Sequence, residues 1–484
     1  MATDTTLRNL ADTLLDNPAV SGGIDSIIRE LREAQSSITG VRPPVEELRV
    51  GYEQYLAQVE KDKGRKPVFP YVGSGLGNGP LVELADGSVK WDMINGIGVS
   101  MFGHSHPGMT EAAIRGALSD TVMQGNLQFN REAIDFAQLL VEEAGRTSRI
   151  TKCFLTNSGA MANESALKVC MQKTGGKAPR ILAFSHNFMG RTIVLSQIGD
   201  SAAGRVGIPL NLQVDYMPFY DPQLGQDSID DALSRLQEYI DRYPGQHACF
   251  AMELIQGEGG FNIGSREFFE PLMKLCREND IPVLVDEIQT FGRTETMFHF
   301  ESLGLGEYVD VVTIGKMSQV CACLYTEDMN PKPGLLSGTF IGSSVGLQVG
   351  KKMLETMRDG GYYGPDGRIA TLHQAFRQRA ESLVKNHSKF FGPIPNNSGL
   401  ERHAPGPPGP YGGIGGMMRF TPFGGDKAMI LKSIHAMFEE GVIAFYCGHG
   451  PFHIRFLAPV GVMEPEQFDD VFAIVERALD KAAG

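Results

Sequence analysis

Two apolar runs that each end in a charged residue set the tightest limit on how this chain can fold. Ile281-Pro282-Val283-Leu284-Val285 leads into Asp286, and Val309-Asp310-Val311-Val312-Thr313-Ile314-Gly315 leads into Lys316. Short runs rich in Val and Ile, bounded by Gly and Pro, have the pattern of strands buried on both faces of a parallel sheet. In open α/β sheets, ligands bind beyond the carboxyl ends of the strands. The pattern therefore predicts one carboxylate and one amine aimed at the same crevice. That pair suits a cofactor with an aldehyde and a basic ring nitrogen.

The same strand type recurs. From about residue 110 to 350, helical patterns alternate with apolar runs at 153–156, 181–184, 247–254, 281–285 and 309–314. This βαβ rhythm predicts an α/β fold with a mostly parallel sheet covered by helices. Leu81–Leu84 and Val89–Asp92, joined through Asp86-Gly87, predict a hairpin. Residues 1–66 have a polar helical pattern broken at Pro43-Pro44, and the Gly/Pro-rich stretch 404–410 precedes a predicted strand at 415–420. At 484 residues the chain exceeds the single-core limit of about 250–300, so more than one domain is expected. The expected division is an N-terminal segment at 1–80, a large domain at 81–350 and a smaller α+β domain at 351–484, with the N-terminal segment contributing to the smaller domain.

Charge and cysteine usage exclude several function classes. A net charge of −13 argues against a nucleic-acid or anionic-membrane surface. No apolar stretch reaches the roughly 18 residues needed to span a bilayer. The start, Met1-Ala2-Thr3-Asp4, shows no signal-peptide pattern. The 7 cysteines are scattered, and Cys321-Ala322-Cys323 is too tightly spaced for a zinc knuckle, so a reduced, cytoplasmic protein without a bound metal is expected. His104 and His106 read better as part of a turn than as metal ligands. Gly73-Ser74-Gly75-Leu76-Gly77-Asn78-Gly79 superficially resembles a nucleotide loop, but a hairpin follows where a helix is needed.

Three motifs carry chemistry. In Cys153-Phe154-Leu155-Thr156-Asn157-Ser158-Gly159-Ala160, a strand turns into an Ala-rich helix. A phosphate can sit on Ser158, Gly159 and Ala160 at that helix start, and a plain turn capped by Asn157 or Ser158 explains the motif as well. In Phe188-Met189-Gly190-Arg191-Thr192, Phe188 can stack on a flat ring and Arg191 can clamp a carboxylate; a core Phe and a surface Arg are the simpler alternative. Glu253 and Glu258 follow another strand in a Gly-rich loop, where a solvated acid is the ordinary explanation of either.

Taken in order, these motifs resemble the class III aminotransferases, the group of ornithine, acetylornithine, lysine and 4-aminobutyrate aminotransferases. The resemblance runs from about Asn78 to the C-terminus, through Gly103-His104-Ser105-His106-Pro107, Asn157 to Glu164, Phe188 to Thr192, Ile255 to Gly260, Asp286-Glu287-Ile288-Gln289-Thr290, Lys316 and Ile454-Arg455-Phe456. It implies the fold type I of pyridoxal 5′-phosphate (PLP)-dependent transferases, PLP as cofactor, and a homodimer. By motif, Lys316 is the Schiff-base lysine that also moves the proton, and Asp286 pairs with the ring nitrogen. Gln289 bonds the ring hydroxyl, Phe188 stacks on the ring, and Ser158, Gly159 and Ala160 cradle the phosphate. Thr339 reaches the phosphate of the neighbouring subunit. Arg455 binds the α-carboxylate of 2-oxoglutarate, Glu258 masks Arg455 when a terminal amine is bound, and Arg191 holds the distal carboxylate.

The implied activity is transfer of a terminal amino group from an amino acid such as lysine, ornithine, acetylornithine or 4-aminobutyrate to 2-oxoglutarate, giving glutamate and an aldehyde. A PLP-dependent aminomutase or racemase on the same fold is the alternative. The sequence departs from the family at Leu254, where Pro is usual, and at Met189, where His or Trp is common. It also lacks a glycine after Gln289-Thr290, and Met317-Ser318-Gln319-Val320-Cys321 replaces a Gly-rich stretch. That run resembles lysine ε-aminotransferases more than acetylornithine ones.

Overall fold

The computed structural model describes residues 9–120, 122–124, 127–394 and 409–484. The N-terminal residues read for a signal peptide, and 404–408 of the Gly/Pro-rich stretch, lie outside the described residues.

The central element is a seven-stranded sheet. In chain order its strands are β1 (Ile150–Thr156), β2 (Arg180–Phe184), β3 (Gln213–Met217), β4 (His247–Met252), β5 (Val283–Asp286), β6 (Val311–Ile314) and β7 (Cys321–Thr326). Their spatial order is β1-β7-β6-β5-β4-β2-β3. β6, β5, β4, β2 and β3 pair in parallel, as expected. β7 is the exception, running antiparallel between β6 and β1. It was not expected, because a short 3₁₀ turn at Lys316–Ser318 reverses the chain without any Gly-Pro or Asn-Gly signal. β3 also escaped notice: it is an edge strand whose first residue, Gln213, is exposed.

β4 and β5 are buried at every residue, and so is β6, which explains their near-continuous apolar sequence. The helix Arg266–Glu278 covers one face of the sheet. Its buried residues Phe268, Phe269, Leu272, Met273 and Cys276 recur at helical spacing. They pack against β2, with the Phe184 and Phe268 rings 5.5 Å apart, and Phe184 in turn meets Phe250 of β4 at 4.8 Å.

Two four-stranded sheets accompany this layer. The hairpin Leu81–Leu84/Val89–Asp92 forms around Asp86-Gly87, where Gly87 adopts a φ of 77° and Asp86 accepts the Ser88 N–H at 2.9 Å. The Gly-rich run Gly73–Asn78 is a strand beside that hairpin, and Val442–Ile443 completes the sheet. The second sheet contains β8 (Tyr411–Ile414), β9 (Met417–Phe420), β10 (Phe445–Cys447) and β11 (His453–Phe456), in the order β8-β9-β11-β10.

Helices Leu10–Leu15, Pro18–Gln35 and Arg49–Lys63 account for most of the described N-terminal segment. Gln35 ties that segment to the body by donating to the carbonyls of Gly77 at 2.7 Å and Ser105 at 2.9 Å. His104 bonds Asp92 at 2.9 Å, and His106 caps the helix Pro107–Ala117. Among the described residues, no helix is long and apolar enough to cross a membrane.

Candidate active site

Asp286 and Lys316 lie at the carboxyl ends of the adjacent parallel strands β5 and β6, where the two runs end in charge. Asp286 is buried. Its Oδ1 accepts the Ile288 N–H at 2.8 Å, and its Oδ2 accepts from the Asn163 side-chain amide at 2.7 Å. Burial pushes its pKa up to about 6; the two hydrogen bonds and the charge of Lys316 hold it from rising further. Lys316 sits at a φ of 54°, in the left-handed region that a residue with a side chain rarely adopts. Burial pulls its amine down to about 8, against the opposing pull of Asp286. The carboxylate and the amine feel each other's charge, and among the described residues no ion pair joins them directly.

Sequence reasoning passed over Asn163 as a site residue. It lies on the buried face of the helix Gly159–Lys173. Its amide donates to Asp286 and to the carbonyl of Met189, each at 2.7 Å, and its Oδ1 accepts from the Thr313 hydroxyl at 2.7 Å. Asn163 therefore locks β6, the helix and the Phe188–Arg191 loop around one carboxylate. The signal was a lone amide among Ala162, Ala166 and Leu167, a polar residue on a face that otherwise packs.

Glu253 is not the solvated loop acid that the sequence suggested. It is buried, with Oε1 accepting the Phe188 N–H at 2.8 Å and Oε2 the Gly257 N–H at 3.0 Å. Burial, then the nearby charge of Asp286, pushes it up to about 8. Through Glu253 the loop that carries Phe188 is tied to the loop that carries Glu258.

The other predicted residues fall as follows. Ser158 is the helix N-cap, accepting the Met161 N–H at 3.2 Å. A Cβ at Gly159 would lie 2.8 Å from Ile288, so the chain approaches β5 too closely there for a side chain. Gln289 is buried, and its Oε1 has no partner among the described residues. Phe188 is half-buried, and the exposed Arg191 lies over its ring at 5.3 Å. Thr339 is exposed, just before the strand Phe340–Ser343. Arg455, on β11, is fully buried and pairs with Glu258 at 2.8 Å; among the described residues its Nε and Nη1 have no partner. Arg293, also fully buried, donates to the Gln289 carbonyl at 2.9 Å.

This set suits PLP. A desolvated amine, a fixed buried carboxylate, an orphaned amide oxygen on Gln289 and a helix start with no room for a side chain match an aldehyde, a ring nitrogen, a ring hydroxyl and a phosphate in turn.

Comparison with known proteins agrees. The family described as Aminotransferase class-III matches residues 72–479. An acetylornithine aminotransferase from Caldanaerobacter subterraneus subsp. tengcongensis is 31% identical, over 64% of this chain and 76% of its own. One from Bacillus subtilis is 34% identical, over 49% and 57%. Among solved structures, a lysine aminotransferase from M. tuberculosis aligns with a TM-score of 0.74 at 21% identity, covering 88% of this chain and 99% of that one. The ornithine aminotransferase from Toxoplasma gondii ME49 aligns with a TM-score of 0.73 at 21% identity, covering 91% and 99%. The chain belongs to the class III aminotransferases, which are PLP-dependent transaminases.

Proposed function

We propose that the protein transfers the terminal amino group of an amino acid to 2-oxoglutarate, working as a cytoplasmic homodimer. The observation that carries this reading is the Arg455–Glu258 pair. Arg455 is fixed and fully buried, whereas the Glu258 side chain keeps 28% of its surface exposed. A glutamate at the edge can swing out and uncover the arginine for a carboxylate, then swing back when the bound molecule presents an amine. A buried cation with a removable partner is less costly than one left unpaired. An aminomutase or racemase binds no second carboxylate-bearing substrate and has no use for such a cover. The names of the relatives, acetylornithine, lysine and ornithine aminotransferases, point to donors of the same kind.

PLP bound here supplies an aldehyde that holds the amine and a ring that accepts electrons from the bond being broken. The chain's own residues do the rest. Lys316, with its amine lowered to about 8, has a useful fraction unprotonated near neutral pH and takes the proton from the substrate carbon. Asp286, mostly ionised above about 6, keeps the ring nitrogen protonated. Ser158, Gly159 and Ala160 hold the phosphate, Gln289 the ring hydroxyl and Phe188 the ring face. Thr339 reaches the phosphate in the neighbouring subunit, and Arg191 takes the distal carboxylate of 2-oxoglutarate.

The test is a panel of lysine, ornithine, N-acetylornithine and 4-aminobutyrate with 2-oxoglutarate, measuring glutamate. Turnover of at least one donor is expected. Isomerisation of a single amino acid without glutamate formation would instead establish the mutase or racemase reading.

A further inference from the structure

The face of the second sheet that carries Arg455 carries another arginine that the assigned chemistry does not use. β9 and β11 run antiparallel, and their register sets Arg419 directly opposite Arg455. Residues directly opposed in such a pair share one face, with Cβ atoms about 4.5–5.5 Å apart. Both arginines are fully enclosed, at 2% and 0% exposure. Two like charges opposed across a strand pair work against the sheet, and enclosing a cation without a counter-ion is costly.

Among the described residues, the surroundings do not cancel the charge of Arg419. Glu258 is the one carboxylate paired with either arginine among the described residues, and it bonds Arg455. Among the described residues Arg419 has only neutral partners: its Nη1 donates to the Gly409 carbonyl at 3.3 Å and to the Thr421 hydroxyl at 3.2 Å. Among the described residues its Nε has no partner, and neither do Nε and Nη1 of Arg455. His453 faces the Thr421 hydroxyl at 2.7 Å and is held neutral by burial and by the charge of Arg419. Cys447, opposite His453, is a buried thiol pushed up to about 12. The loop from the central sheet closes on this face, for a Cβ at Gly260 would lie 3.2 Å from the His453 ring. Among the described residues, Arg455 thus holds one carboxylate and Arg419 none, with unpartnered donors left on both.

We propose that Arg419 and Arg455 together recognise a substrate with two anionic groups at this end of the site, one on Arg455 when Glu258 withdraws and a second, a carboxylate, on Arg419. The unpartnered Nε of Arg419 is a charged donor that a carboxylate oxygen would satisfy. The substrate class is an amino or keto acid with an extra carboxylate beside the one that Arg455 holds. This inference rests on the reading of Arg455 as a substrate-carboxylate residue.

The test titrates the PLP-loaded protein with acetate and with malonate, two unreactive acids, following the absorbance of the bound cofactor. Arg191→Met serves as the background, so that the other candidate carboxylate residue does not contribute. Malonate is expected to bind at least about tenfold tighter than acetate, the preference to fall to about threefold or less in Arg419→Met, and Arg419→Lys to recover part of it. The proposal is overturned if malonate has no advantage before Arg419 is changed, a result that needs no Arg419 variant to fold. It is overturned alone if Arg455→Met weakens both acids while Arg419→Met leaves the preference intact. If Arg455→Met weakens neither acid, the reading of Arg455 fails and takes the proposal with it.

Discussion

Asn163 gives the sharpest handle on this site, because Asn163→Ala removes one side chain and disturbs a single catalytic charge. In the protein, Asn163 makes three hydrogen bonds of 2.7 Å, one of them to the buried carboxylate of Asp286. A hydrogen bond to a charged group contributes about 1.5–3 kcal/mol, and an orphaned buried acceptor loses a similar amount. At about 1.4 kcal/mol for each pKa unit, losing this donor carries Asp286 from about 6 to above neutral pH. Asp286 is then largely protonated at pH 7 and cannot keep the ring nitrogen charged. We expect PLP affinity and turnover of Asn163→Ala to fall at least about tenfold at pH 7. The deficit should shrink toward pH 9, where the carboxylate ionises again. The assay is cofactor titration by absorbance, with initial rates, from pH 6 to 9. A variant whose deficit does not change with pH would refute the reasoning, since lost packing alone does not titrate.

Other expectations concern the residues around this one. Lys316→Ala should abolish both turnover and the fixation of cofactor to protein by borohydride, read by mass spectrometry of the digested chain. Glu258→Ala should slow the half-reaction with a terminal-amine donor about tenfold or more while speeding that with glutamate, measured by single-turnover absorbance. Glu253 is raised to about 8, so the stability tied to its protonated form is fully present below its ordinary carboxylate range and is lost as pH rises through about 8. Denaturant unfolding should show wild type losing on the order of a few kcal/mol between pH 5 and pH 9, with a visibly flatter curve for Glu253→Gln.

Much of the site was legible because its chemistry sits at strand ends. Asp286 and Lys316 each follow an apolar run, and a charge at the end of such a run must face either water or a ligand. The Ser158 turn was legible as a cap, and the structure makes it one, while a phosphate site at the same helix start stays with the proposed function. Asn163 and Glu253 were not read correctly because their importance lies in partners distant in sequence. Glu253 becomes a bracket only when the N–H groups of Phe188 and Gly257 converge on it. Arg419 sits in a run, Met417-Met418-Arg419-Phe420, that reads as an ordinary strand with one outward charge. Only the register with β11 turns that charge inward. The antiparallel β7 was hidden for a different reason: its turn is built from Lys316 itself, in a strained conformation that no turn signal announces.

That turn has a consequence for how such an enzyme can change its substrate. Lys316 sits where β6 hands the chain to β7, and both are interior strands, bonded on each side to neighbours. A Cβ at Gly315 would lie 2.9 Å from the Cys321 sulfur, so the two arms approach closely at the bend. The backbone of the lysine is thereby clamped from both directions, and only its side chain is left to swing. Met317 and Ser318, which follow it, are themselves fully buried, so the bend is held on its far side as well. A change of substrate that spares the amine therefore has to come from side chains outside this buried bend.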